Sequence, residues 1–219
     1  MTTKAFKSAG YSWRLFCGAD VIERNLKAVV TRAGAARAMI VCSPSIAAKT
    51  DLPGRIEEAL GDRFAGTFDG IEKDSSYASV SAATARAREL KADLLIAVGG
   101  GSVVVATRAV SIFLSESGDP FDLMTQYPEG GRPVSPRLEA PKVPIVNIPT
   151  TPTSAMNRAG TGLKNPGLDH RMEFFDPKTR PLAILIDDGA LMTAPDGSMT
   201  SNDFAQVPSS AVAVMAMTA

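Results

Sequence analysis

The sequence predicts an α/β domain built on a doubly wound, mostly parallel sheet. Three observations carry that expectation. Continuous apolar runs such as "RAMIVCS" (37–43) and "DLLIAVG" (93–99) have the form of strands buried on both faces. Helix-like segments separate these runs, which is the alternation of βαβ units. Three consecutive glycines, Gly99 to Gly101, stand where one such strand passes into a helix, the usual ligand position in these sheets.

The elements follow in order. "SWRLFCG" (12–18) reads as a short strand. "ADVIERNLKAVVTRAG" (19–34) reads as a helix with Val21, Leu26, Val29 and Val30 on one side and Gly34 at its end. After the strand at 37–43 come a short helix, "LPGRIEEALG" (52–61), and a weak strand, "GTFDGI" (66–71). The long segment "SYASVSAATARARELK" (76–91) is the next helix, and "SVVVATRAVSIFLS" (102–115) follows the glycines as another. A Pro- and Gly-rich loop spans Gly118–Pro141, and "KVPIVNIP" (142–149) is again a strand. Beyond Pro149 the pattern suggests a hairpin-like excursion and one more buried strand, Leu182 to Ile186. From Gly189 no periodicity stands out, and no internal repeat is visible.

At 219 residues the chain suits one sizeable domain, or a large domain with a fragment of a second. The pattern divides it into an α/β unit over 1–195 and a remainder over 196–219. Basic and acidic residues balance at 23 each, which argues against a nucleic-acid partner or an acidic membrane surface. No apolar run reaches the ~18 residues of a membrane span. The start "MTTKAFKSAGYSW" lacks the apolar core of a signal peptide, so the cytoplasm is the default location. Cys17 and Cys42 each end an apolar run and read as buried free thiols.

The triple glycine invites a ligand. A helix start offers backbone amides and the positive end of its dipole, which suit a phosphate, and glycines let the main chain approach it. Ser102 can cap the helix and donate a hydroxyl. A tight strand-to-helix turn without ligand is the alternative. Val104 stands where G-x-G-x-x-G needs its third glycine, and neither a Walker loop nor a G-x-S-x-G elbow occurs. "PIVNIPTTPTSA" ends a second strand in Thr150 and Thr151, whose hydroxyls could bind ribose or phosphate oxygens, or simply form a turn.

Taken together, "FCGADVIERNL", "FDGI", "DLLIAVGGGS", "PIVNIPTT" and "HRMEFFDPKTRPLAILIDD" resemble the iron-containing (metal-dependent, group III) alcohol dehydrogenase family, from about Leu15 to Pro195. Maleylacetate reductase, glycerol dehydrogenase and dehydroquinate synthase are relatives. The resemblance implies a Rossmann-like, dehydroquinate synthase-like domain that binds NAD or NADP. It also implies an all-helical C-terminal domain holding iron or zinc, missing or vestigial in this chain. It places the cofactor pyrophosphate on Gly99, Gly100, Gly101 and Ser102, and puts Thr150 and Thr151 near the phosphate and the nicotinamide ribose. Hydride transfer between the nicotinamide and a small alcohol or aldehyde is the implied reaction. A homo-oligomer, or a partner supplying the helical domain, is the implied assembly.

Three departures from the family pattern matter. Val105, Thr107 and Arg108 replace the Asp, Ala and Lys of GGGS-x-x-D-x-A-K, with Arg108 keeping the positive charge. The strand that usually ends in Asp, to grip the adenosine ribose, ends at Ser43, which does not repel a 2′-phosphate; NADP is therefore tolerated or preferred. The metal ligands are an Asp and three histidines in such proteins. Here Asp203 is the nearest carboxylate, and the single histidine, His170, lies upstream and reads as a loop residue near the cofactor cleft. One carboxylate makes no iron or zinc site. The metal-free arrangement of Tyr with Lys four residues on is absent, and Asp187-Asp188 reads as a turn rather than an acid–base pair. A truncated helical domain or a tail is expected over 196–219. A non-catalytic dinucleotide-binding subunit or relic is the alternative, with a lyase like dehydroquinate synthase ranked last.

Overall fold

The strand ending at Cys42 shows how the sequence builds the sheet. All five residues of Ala38–Cys42 are buried. Ala38, Ile40 and Cys42 face one core, while Met39 and Val41 face the other. Leu94–Gly99 repeats the pattern, with Leu94, Ile96 and Val98 on the first face and Leu95 and Ala97 on the second. Strands buried on both faces need apolar residues at every position, which is why these runs are unbroken.

The computed structural model describes residues 12–194. In chain order it contains β1 (Arg14–Gly18), α1 (Val21–Arg32), β2 (Ala38–Cys42), α2 (Pro44–Lys49), α3 (Leu52–Leu60), β3 (Phe64–Phe68), α4 (Tyr77–Glu89), β4 (Leu94–Gly99), α5 (Gly101–Ser115), α6 (Pro120–Leu123), β5 (Ile145–Pro149), β6 (Gly160–Leu163), β7 (Met172–Phe175), β8 (Ala183–Asp187) and α7 (Asp188–Leu191). Six strands form one sheet in the order β1-β8-β5-β4-β2-β3, every neighbouring pair parallel. β6 and β7 form the expected hairpin, antiparallel and apart from the main sheet. Helices α1 and α3 cover one face through Ile22, Leu26, Val30, Ile56 and Leu60. Helices α4 and α5 cover the other through Val80, Ala83, Val104 and Val110. The architecture is doubly wound, as the sequence predicts. Among the described residues no helix is long and apolar enough to cross a membrane.

Local signals explain the element ends. α1 carries Glu23 in its first turn and Arg32 in its last, both favourable to the helix dipole. The Ser76 hydroxyl caps α4 by accepting from the Ser79 amide at 3.1 Å. Three details differ from the sequence reading. α2 was not anticipated, although Pro44 in the first turn is a standard helix opening. β3 begins two residues earlier than the predicted strand and ends sooner. Cys17 is exposed, on a strand that among the described residues has a partner on one side only; Cys42 is buried as expected, and burial, helped by the nearby Asp69 charge, pushes its thiol up to about 12. The expected helical start over 196–219, with Asp203, lies outside the described residues.

A buried ionic cluster ties the hairpin to the sheet. The Lys142 ammonium, without solvent exposure, lies 2.5 Å from Glu116 at the end of α5 and 3.0 Å from Asp176 after β7. Lys178 adds a second cation 3.1 Å from Asp176. Burial pushes the Asp176 carboxyl up, but the Lys178 amide and the two ammonium groups outweigh it and hold the group below its ordinary value of 3.8. A depressed folded pKa contributes stability above the unfolded value and loses it as pH falls through the folded one. Asp176→Asn should therefore destabilise the chain by about 3 kcal/mol at neutral pH, by leaving Lys142 underpaired. In denaturant titrations, the gap between wild type and variant should shrink as pH drops below 3.8.

Candidate functional site

Sheet register assembles the candidate site. Cys42 sits opposite Val98, and Gly99 opposite Pro149, so β2, β4 and β5 end level with one another. From β2 the chain steps outward to β3, then returns across β2 to β4 and continues to β5. The crevice between the carboxyl ends of β2 and β4 is thus the switch point, where doubly wound sheets take ligands. Ser43, Gly99–Ser102 and Thr150–Thr151 follow directly on these three strands and come together on one edge.

Each glycine has a local cause. Gly99 has φ +150°, and a Cβ there would lie 2.8 Å from Cγ2 of Val103. A Cβ on Gly100 would stand 3.0 Å from Oγ1 of Thr151, and one on Gly101 would stand 3.2 Å from Oγ1 of Thr153. The Thr150 amide donates to the Gly99 carbonyl at 3.1 Å, which locks the two turns together. The Val103 and Val104 amides turn back onto the Gly100 carbonyl. Those of Gly101 and Ser102 precede any intrahelical acceptor, as the first amides of every helix do. A cradle of bare main chain at the positive end of a 15-residue helix results.

Ser102 departs from its expected capping role. Gly100, in extended conformation, holds the N-cap position of α5. The Ser102 hydroxyl instead accepts from the Asp74 amide at 3.1 Å, and its carbonyl accepts from the Ser75 hydroxyl at 2.6 Å. Asp74 and Ser75 both have left-handed φ, 64° and 56°, an unfavourable pair for non-glycine residues, held here by those bonds. Ser43 is half-buried at the start of α2, its hydroxyl 3.0 Å from that of Ser45.

A cleft of about 680 Å³ opens beside the cradle, between α5, the β6–β7 hairpin and the loop around Thr125–Ser135. Gly101 and Ser102 line it together with Arg108, Arg158, Arg171 and Glu173. Arg108 is 1% exposed, donating to the carbonyls of Gly160 (2.7 Å) and Ala155. Burial, then the charges of Arg158 and Arg180, draw its guanidinium down to about 10. His170 packs its ring edge-on to Tyr127 at 5.2 Å and pairs with Asp169 at 2.6 Å, and it lines a separate pocket that shares Asp74 and Arg171 with the cleft. Asp187 acts as the turn residue expected. It caps α7 through the Ala190 amide and binds Arg55 at 3.1 Å, while Arg55 also grips Glu23 at 2.7 Å and holds that carboxyl below its usual range. Among the described residues no three His, Cys, Asp or Glu side chains cluster to hold a metal, and Asp203 lies outside them. Sequence reading missed Asp74, Ser75 and Arg158, for which only the "DSS" turn before α4 offered any signal.

The fold and edge geometry define a doubly wound α/β domain with a glycine cradle at its switch point. The profile described as iron-containing alcohol dehydrogenase matches residues 13–188, and the chain belongs to that family. Maleylacetate reductase 2 of Cupriavidus pinatubonensis is 41% identical over 99 residues, 45% of this chain and 26% of that one. The 4-hydroxybutyrate dehydrogenase of Cupriavidus necator is 30% identical over 166 residues, 75% of this chain and 36% of that one. A crystal structure described as an alcohol dehydrogenase from Ralstonia eutropha JMP134 superposes with a TM-score of 0.68 at 28% identity, covering 88% of this chain and 45% of the other. The chain spans less than half the length of these relatives.

Gly99→Ala tests the cradle's stereochemistry. With φ at +150° and Val103 in the way, it should cost about 1–3 kcal/mol in chemical denaturation. Gly34→Ala, also at positive φ but with no atom within 4 Å, should cost only about 1 kcal/mol.

Proposed function

We propose that residues 1–195 form the dinucleotide-binding part of an oxidoreductase that moves hydride between a nicotinamide cofactor and a small alcohol or aldehyde. The observation that carries this reading is the cradle itself. Two glycines whose Cβ positions would be crowded by threonine hydroxyls expose the amides of Gly101 and Ser102 at the start of a long helix. The diphosphate of NAD or NADP would rest on Gly99–Ser102, with Thr150 and Thr151 offering groups to the phosphate and adjoining ribose. When bound, the nicotinamide ring supplies the hydride donor or acceptor. The chain's own task is to bind and orient it. Metal chemistry, iron or zinc by family membership, belongs to a helical part for which the described residues provide no ligand cluster. We place the start of that part at 196–219, or in a partner chain, within a homo-oligomer or a mixed assembly.

Ser43 bears on cofactor choice. It follows β2 on the same edge as the cradle, where a neutral hydroxyl leaves a 2′-phosphate unopposed. An aspartate there would set like charges a few ångströms apart, worth about 1–4 kcal/mol of repulsion. Calorimetry with NADPH and NADH tests both points. NADPH should bind at least as tightly as NADH, and Ser43→Asp should weaken NADPH by about tenfold or more while sparing NADH. No heat with either nucleotide would overturn the reading of the cradle; a tenfold preference of wild type for NADH would overturn that of Ser43.

A further inference from the structure

Among the described residues Arg108 is a buried cation without an anion. Its guanidinium carries five N–H donors. Two carbonyls, of Gly160 and Ala155, take one terminal nitrogen each, and Nε meets no acceptor among the described residues. The charges that bear on it are Arg158 and Arg180, both of its own sign. Proteins rarely bury a charge without a counter-charge, because desolvation then goes uncompensated. Other buried ionic groups among the described residues follow the rule: Lys142 lies between Glu116 and Asp176, and Asp187 meets Arg55. Arg108 differs in lining the open cleft, which gives a counter-charge from outside a way in.

We propose that Arg108 and Arg158 form a carboxylate site in the cleft and that the substrate is an acid bearing the reacting alcohol or aldehyde at its other end. Charge favours a singly charged group. Arg108, Arg158 and Arg171 line the cleft together with Asp74 and Glu173, leaving one positive charge in surplus. Arg171 leans on Asp74 at 3.8 Å and donates to the Asp74 and Gly162 carbonyls, so the surplus falls on Arg108 and Arg158. Arg158 is exposed and able to follow a ligand inward, and Arg108, fixed by two carbonyls, is the rigid half of the site. A guanidinium suits a carboxylate through its planar fork of donors. The volume of about 680 Å³ accepts a small organic acid with room to spare. Gly101 and Ser102 of the cradle line the same cleft, so a substrate in it would lie beside the cradle. The proposal rests on the dinucleotide reading only for the hydride step; the carboxylate site stands on the arginines.

The test compares 4-hydroxybutanoate with 1,4-butanediol, equal in length and different in charge, by calorimetry on the purified full chain with and without saturating NADPH. The acid should bind about tenfold more tightly than the diol or better, and added salt should erode that margin. Arg158→Ala, at an exposed position, should leave thermal stability unchanged and remove most of the difference. Arg108→Lys, which keeps charge but loses the fork, should weaken the acid by about tenfold. Equal affinity for acid and diol overturns the proposal, as does an unaltered preference in a folded Arg158→Ala. Competitive displacement of the acid by NADPH also overturns it, by assigning the arginines to the nucleotide. Acid binding without any NADPH binding leaves the carboxylate site standing and removes the dinucleotide reading.

Discussion

The contact on which the rest depends is that of two turns, one after β4 and one after β5, pressed together through bare main chain. Thr151 and Thr153 bring their hydroxyls within 3.0 and 3.2 Å of where Gly100 and Gly101 would carry a Cβ, and the Thr150 amide binds the Gly99 carbonyl. The neighbouring turn thus favours glycine, as a ligand approaching the main chain would. The two demands reinforce each other, since the packing that crowds a Cβ also holds the helix start open. Sheet register sets the contact. Gly99 meets Pro149 because every residue from Leu95 onward is paired with its counterpart in β5, and a slip of one position would turn both strands inside out.

What could be read from the sequence follows physical locality. The central strands were legible because burial on both faces demands unbroken apolar runs, and Gly99–Ser102 was legible because three glycines are costly without cause. Edge positions were less so. Cys17 ends an apolar run like Cys42 but lies on a strand with one neighbour, and only the strand order reveals that. Ser102 looked like a cap since serine commonly is one, yet residues of a distant loop, Asp74 and Ser75, claim its hydroxyl and carbonyl. Arg108 was visible only by resemblance, as an arginine keeping the positive charge of the motif's lysine; its partners at Ala155 and Gly160 lie some fifty residues on, beyond any local pattern.

The ionic groups divide by purpose. Glu23, Arg55 and Asp187 join α1, α3 and the end of β8, and Lys142 with its two carboxylates joins α5 to the segment after the hairpin. The second cluster is neutral once Lys178 is counted, the first sets two carboxylates on one guanidinium, and both brace the edge elements about the sheet. Arg108 in the cleft meets no such opposite charge among the described residues. A surplus of positive charge where the framework is open, and buried charges met by opposite ones where it is closed, is the distribution expected of a domain that leaves one wall free for small molecules.

Strand β1 has a further consequence. Among the described residues, Arg14 to Gly18 find their one strand partner in Ala183 to Asp187, near the far end of the described chain. During vectorial synthesis at ~5–20 residues per second, the ribosome releases the second of these segments roughly 10–30 s after the first. For that interval Leu15 and Trp13 lack the cluster of Met156, Ile184 and Ile186 against which they finally pack. The nascent polypeptide must therefore carry an unsealed seam until β8 emerges, which makes this pairing non-local and dependent on whatever shelters that edge meanwhile.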